Sequence, residues 1–192
     1  MPFLKDRLAS ISDAASFEQT AIEAFRWQYA HTPVYSEWCR QLGVDTDRVH
    51  RLEDIPFLPI SFFKSHSVFQ KDAAVQKRFL SSGTQGPRSA HSLTDEAFDI
   101  YQTFSRKAFE LLFGPIKGRP ILALLPHYLQ NGDSSLVEMC RLWMEDSGHE
   151  GNGFFLDDQK QLIQRLMDLK GCRPAPLLIG ASYALLDLAE YG

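Results

Sequence analysis

Ser81-Ser82-Gly83-Thr84-Gln85-Gly86-Pro87-Arg88-Ser89 gathers groups able to do chemistry into one short stretch. Glycine admits positive φ and leaves no Cβ between backbone and ligand. Successive N–H groups in such a turn form an anion-binding nest. The hydroxyls of Ser81, Ser82 and Thr84 add donors, and Arg88 adds a planar, permanently charged fork. The set suits a polyphosphate. On composition alone it fits a Ser- and Gly-rich hairpin turn equally well. It is not G-x-x-x-x-G-K-[ST], because no Lys follows Gly86, and it is not G-x-G-x-x-G.

Gly180-Ala181-Ser182-Tyr183-Ala184 is a second candidate. It comes close to the G-x-S-x-G elbow of α/β-hydrolases, with Ala in the last place. In that fold the acid and the His follow the nucleophile. After Ser182 stand only Asp187 and Glu190, and no His, so hydrolysis at Ser182 is the weaker reading. His127 follows an apolar run, where a capping or core imidazole is as good a reading as a ligand-facing one. Lys64 and His66 read as solvated side chains. The six His are dispersed without an H-x-x-x-H pair, so no metal site is predicted.

The elements that must carry these residues can be traced along the chain. Residues 3–30 read as helical, with Phe17, Ala21, Ile22 and Phe25 on one face, and the aromatics there read as core. Thr32-Pro33 stops that helix. Residues 34–42 form a second helix, ended by Gly43. From Leu52 to Lys64 the chain is apolar, and Pro56 and Pro59 exclude a regular helix, so an extended segment lying over a core is expected. Short strands are predicted at 67–69 and 77–80, the second leading into the Ser/Gly stretch, with 91–93 as the return strand. Thr94 then caps a long helix with Asp95 and Glu96 in its first turn, ended at Gly114-Pro115.

Beyond it, buried strands are expected at 121–125, 154–156 and 176–180. Helices between and after them start at Ser134 or Ser135, at Asp158 and at Ser182. Ser135 with Glu138, and Asp158 with Gln161, fit capping boxes. This alternation predicts parallel strands with crossover helices, an α/β fold.

Composition removes several function classes. Net charge is −4 with no Lys/Arg block, which argues against nucleic acid as a partner. No apolar run approaches the ~18 residues a membrane span needs, and residues 1–10 lack a signal-peptide core. The three Cys are scattered without a CxxC pair, which points to reduced thiols and a cytoplasmic setting. The count of 14 Phe implies a large aromatic core or an apolar ligand pocket.

Several pieces, taken in order, resemble the acyl-protein synthetase (LuxE-type) family, which is related to adenylate-forming enzymes. Leu58-Pro59-Ile60-Ser61-Phe62-Phe63-Lys64 precedes a stretch similar to the S-S-G-T-T-G-x-P-[KR] phosphate loop, with Gln85 in place of the second Thr. Leu124-Leu125-Pro126-His127-Tyr128 with Ser134-Ser135-Leu136 follows, and the run from Leu178 to Leu188 closes the series. The resemblance spans nearly the whole chain.

It implies an α/β lobe of an adenylate-forming-enzyme-like fold: a helical cap over roughly 1–50, then a mixed or parallel sheet with crossover helices over roughly 51–192. It implies ATP-dependent activation of a long-chain fatty acid to an acyl-adenylate, and acyl transfer to a protein thiol, with a reductase-like acceptor as a partner. By the same resemblance Ser81, Ser82, Gly83, Thr84, Gln85, Gly86 and Arg88 hold the ATP phosphates, with Mg²⁺ arriving with ATP. His127 stands beside the acyl carboxylate as the catalytic candidate, and Gly180, Ala181 and Ser182 border the acyl or AMP pocket. A non-catalytic nucleotide-binding lobe or scaffold is the alternative. The 192 residues are expected to be an N-terminal part, inactive alone and inclined to self-associate through an uncovered sheet edge.

Overall fold

Asp13 and Ser16 divide the helical run expected over 3–30. The Asp13 carboxylate accepts the Ser16 N–H at 2.8 Å, and the Ser16 hydroxyl oxygen accepts the Asp13 N–H at 3.1 Å. This reciprocal cap starts a new helix, so α1 (Leu4–Ser10) and α2 (Ala14–His31) replace one long one. The structure is a computed structural model that describes residues 4–81, 87–125, 133–155 and 158–191. The chain divides into two compact units, Met1–Ile100 and Tyr101–Gly192.

In the first unit, α3 (Pro33–Gln41) starts with Pro at its first position and is followed by Gly43 at φ +67°, a left-handed conformation that glycine adopts without strain. Phe25, Tyr35, Cys39, Val49 and Ile55 form the core. The Pro-rich segment lies over it as expected: Leu52 and Leu58 pack inward, while Phe57 is 71% exposed. A 3₁₀ turn at Leu52–Asp54 and the short helix α4 (Phe62–Ser65) flank the extended part. The strand expected at 67–69 does not form. There the Val68 N–H turns back to the His66 carbonyl at 3.1 Å, so the segment closes on itself and pairs with no strand among the described residues. β1 (Lys77–Leu80) and β2 (Ala90–Leu93) pair antiparallel, Leu80 opposite Ala90. The Thr94 hydroxyl then accepts the Ala97 N–H at 3.2 Å and starts α5 (Asp95–Phe113), which continues into the second unit.

The second unit is built on β3 (Ile121–Leu124), whose residues are all buried. β4 (Gly153–Phe155) and β5 (Leu177–Gly180) pair parallel to it on either side, giving the order β4-β3-β5. The strand period of two sorts the side chains onto two faces. Leu122 and Leu124 pack with Phe155 and Leu162, and Ala184 of the last helix. Ile121 packs with Phe109 and Trp143, and Ala123 and Leu125 with Val137 and Cys140. Thus α5 and α6 (Ser135–Ser147) cover one face, and α7 (Gln159–Asp168) and α8 (Ser182–Tyr191) the other. The α/β alternation expected over this region is what forms. The capping residue of α6 is Ser134, whose hydroxyl accepts the Val137 N–H at 3.4 Å; the Ser135–Glu138 box is not used, and the Glu138 carboxylate takes an Arg141 N–H instead. Asp158 caps α7 through the Gln161 N–H at 2.8 Å, as expected.

Candidate functional site

The Ser/Gly stretch sits at the tip of the β1–β2 hairpin. Past the last strand pair, the Ser81 N–H donates to the Ser89 carbonyl at 2.9 Å and the Ser89 N–H donates to the Ser81 hydroxyl oxygen at 3.0 Å. Arg88 Nε donates to the Ser81 carbonyl at 2.7 Å. These bonds draw the two ends of the stretch together and form a neck. Arg88 is therefore fixed against backbone. Ser82, Gly83, Thr84, Gln85 and Gly86 lie outside the described residues. At the hairpin's other end the Lys77 ammonium lies 5.7 Å from the Phe79 ring centre and 6.0 Å from that of Phe98, a cation–π anchor for the base. Lys64 and His66 are exposed, and the His66 ring stacks on Phe62 at 4.9 Å.

The second group falls in the other unit. Gly180 ends β5 opposite Leu124 of β3, and the Ala181 N–H reaches the Leu124 carbonyl at 3.4 Å. Ser182 is exposed and opens α8. The chain leaving β3 leads to α6 on one face of the sheet, and the chain leaving β5 leads to α8 on the other. Two neighbouring parallel strands whose exits diverge in this way make a topological switch point, where open α/β sheets leave a crevice for ligands. Gly180 has a packing duty there as well. A Cβ on it would stand 2.8 Å from the Leu124 carbonyl oxygen. His127, which follows β3 in the chain, lies outside the described residues.

A third feature was legible in the sequence only as an excess of Phe. An apolar cavity of about 620 Å³ lies within the first unit, between one face of α2, the Pro-rich segment, β2 and the start of α5. Phe17, read from its spacing as core, is 48% exposed and lines this cavity. The His91 ring meets Phe63 edge-on at 5.7 Å in its wall. Partial burial there holds the His91 imidazole below its ordinary pKa, although much of its surface still meets water. Elsewhere, burial pushes the Cys140 thiol up to about 12, and raises the Cys39 thiol as well. Neither is poised as a nucleophile, because the thiolate is the reactive form. Among the described residues no group of His, Cys, Asp and Glu is placed to hold a metal, and no helix is long and apolar enough to cross a membrane.

Residues 8–99 match the family model described as acyl-protein synthetase, LuxE. The match falls within the first unit and contains the hairpin neck and all of the cavity's lining except Leu4 and Ile100. The chain is 39% identical over 67 residues to a long-chain-fatty-acid–luciferin-component ligase of Vibrio harveyi, covering 34% of this chain and 18% of that protein. It is 33% identical over 73 residues to a protein of the same name from Photorhabdus luminescens, covering 38% of this chain and 62% of that one. The likeness to the LuxE family is thereby shown for part of the chain, and the matched stretches span less than two thirds of either relative.

Proposed function

We propose that this chain serves a ligase that activates a long-chain fatty acid with ATP as an acyl-adenylate and passes the acyl group to a protein thiol, on a lobe of the adenylate-forming type. The observation that carries the reading is the Ser81–Gly86 sequence inside the stretch that matches the LuxE family model. Both relatives are named for ligation of a long-chain fatty acid. The closed neck supports it, because the chain on either side of residues 82–86 is drawn together at Ser81 and Ser89.

In the reaction a carboxylate oxygen bonds to the α-phosphorus of ATP, and the bond from that phosphorus to the bridging oxygen breaks, releasing pyrophosphate. The protein's part is to hold the phosphates and stabilise charge as it moves onto the leaving group. Backbone N–H groups of residues 83–86 and the hydroxyls of Ser81, Ser82 and Thr84 would serve the phosphates, with Gln85 adding an amide. Arg88 braces the loop from its neck. Gly180, Ala181 and Ser182 stand at a strand exit of the second unit and would border the acyl or AMP pocket, and His127 would meet the reacting carboxyl. Mg²⁺ would come with ATP, held chiefly by phosphate oxygens and water.

The deciding measurement is fatty-acid-dependent exchange of labelled pyrophosphate into ATP by the natural gene product. Absence of exchange at every chain length would overturn the adenylation mechanism. Gly83→Val adds a β-branched side chain where phosphate oxygens approach. It should abolish ATP binding and leave the helical circular dichroism intact. The rival reading, a nucleotide-binding lobe without turnover, is favoured by the structural use of Arg88. It predicts ATP binding that Gly83→Val removes, without any exchange.

A further inference from the structure

Lys5 and Arg7 stand two residues apart in α1, and a helix turns ~100° per residue. Leu4 and Leu8, four apart, share one face. Lys5 then lies ~80° to one side of that face and Arg7 ~80° to the other. Each is used accordingly. Leu4 lines the cavity of the first unit. The Lys5 ammonium meets the Asp99 carboxylate of α5 at 2.6 Å. Arg7 Nε and Nη2 meet the two carboxylate oxygens of Glu23 in α2, at 3.0 and 3.1 Å. Ala24 follows Glu23 and Ile100 follows Asp99, and both line the cavity. α1 therefore runs from one wall to the other with an apolar side chain turned inward.

Its hold there is light. No residue of α1 is fully buried, and Leu4 and Leu8 are half-buried. Both ion pairs meet water, with the Lys5 side chain 41% exposed and that of Arg7 48%. An exposed pair favours the closed arrangement by a factor of only ~1.5–5, and salt screens it further. The connection is built to bend. The reciprocal Asp13–Ser16 cap fixes the start of α2 by itself, so residues 11–13 belong to neither helix. α1 can lift on that joint while α2 keeps Phe25 in the core. Local opening of this kind is expected of a segment with few buried apolar contacts.

We propose that α1 is a lid over the cavity of the first unit, latched to one wall by Lys5–Asp99 and to the other by Arg7–Glu23, and that its lifting opens the cavity between α2 and α5. The lid is a property of the fold and stands whatever reaction the chain serves.

The test reads access to the two walls directly. Ala24→Cys and Ala97→Cys, made separately, each put a thiol in one wall, in the 192-residue chain carrying Cys172→Ser so that the native thiols left, Cys39 and Cys140, are buried. Labelling by N-ethylmaleimide, which is uncharged, is followed at fixed pH by peptide mass. Raising salt from about 0.01 M to 1 M shortens the screening length from ~30 Å to ~3 Å and should speed both reporters several-fold. Lys5→Gln or Arg7→Gln should speed them ~1.5–5-fold at low salt, and the two together should remove the salt dependence. Lys5→Glu, which faces Asp99 with a like charge, should speed them further, and adding Asp99→Lys should bring the rate back. Rates indifferent to salt and to these substitutions, as entry past the exposed Phe57 would give, overturn the lid. Labelling of Cys39 in step with the reporters overturns it too, because the whole core of the unit would then be opening.

Discussion

Gly180→Ala asks whether this glycine serves packing or a ligand. The new Cβ would lie 2.8 Å from the Leu124 carbonyl oxygen, and 3.1 Å from both Cγ and Cδ2 of Leu185. The leucine can turn aside. The carbonyl cannot move freely, because Leu124 is paired into the sheet and its oxygen takes the Ala181 N–H. Overpacking of this kind costs ~1–3 kcal/mol, and weakening that hydrogen bond adds ~1 kcal/mol. Lower entropy of the unfolded chain returns ~0.4–1 kcal/mol. The net loss is about 2 kcal/mol, which at m values of ~1–3 kcal/mol/M lowers a urea midpoint by roughly 1 M. Trp143 lies in the core of this unit and reports on it in a background of Trp27→Phe and Trp38→Phe. Adding Leu185→Ala should recover only part of the loss beyond its own cost, since the carbonyl contact remains. An unchanged midpoint would refute the packing argument and leave ligand access as the reason for the glycine.

Three further expectations are independent of that one. A thiol reagent should modify Cys172 first in the native chain, since it is half-buried while Cys39 and Cys140 are fully buried; three equally fast thiols would contradict the core packing. The lowered His91 pKa means that, between its folded value and the ordinary ~6.5, the unfolded chain binds more protons. Stability of the first unit should therefore rise with pH through that window, modestly because the ring is partly exposed, and His91→Asn should flatten the slope; a fall with rising pH would reverse the assignment of cause. Thr94→Ala removes the cap of α5 and should cost ~1 kcal/mol in thermal or urea unfolding, whereas Thr94→Ser should cost far less.

Local chemistry was enough to read much of this protein. Thr32-Pro33 and Gly43 bound α3, Thr94 starts α5 and Asp158 starts α7, because a missing N–H, a left-handed φ or a side-chain acceptor acts within a few residues. Apolar runs at 121–125 and 176–180 announced parallel strands, and β3 is buried throughout because a strand covered on both faces needs no alternation, whereas β5, expected to be buried as well, is half-buried because it stands at the edge of the sheet. The Ser81–Ser89 stretch could be singled out as a candidate because its residue types are the donors a polyphosphate would need. Other features needed tertiary partners. Nothing in 67–69 marks the absence of a neighbouring strand, and pairing is a property of two segments. Phe17 and Phe25 share one face of α2 and both border the cavity, yet Phe17 is exposed and Phe25 is buried in the core, because periodicity gives the direction of a side chain and leaves open what stands opposite. Gly180 could be singled out from its neighbours in sequence, but the Leu124 carbonyl that excludes a Cβ there lies 56 residues earlier in the chain and meets it only when β3 and β5 pair. Short-range backbone chemistry thus set the elements, and the empty space between them was decided only when the chain packed.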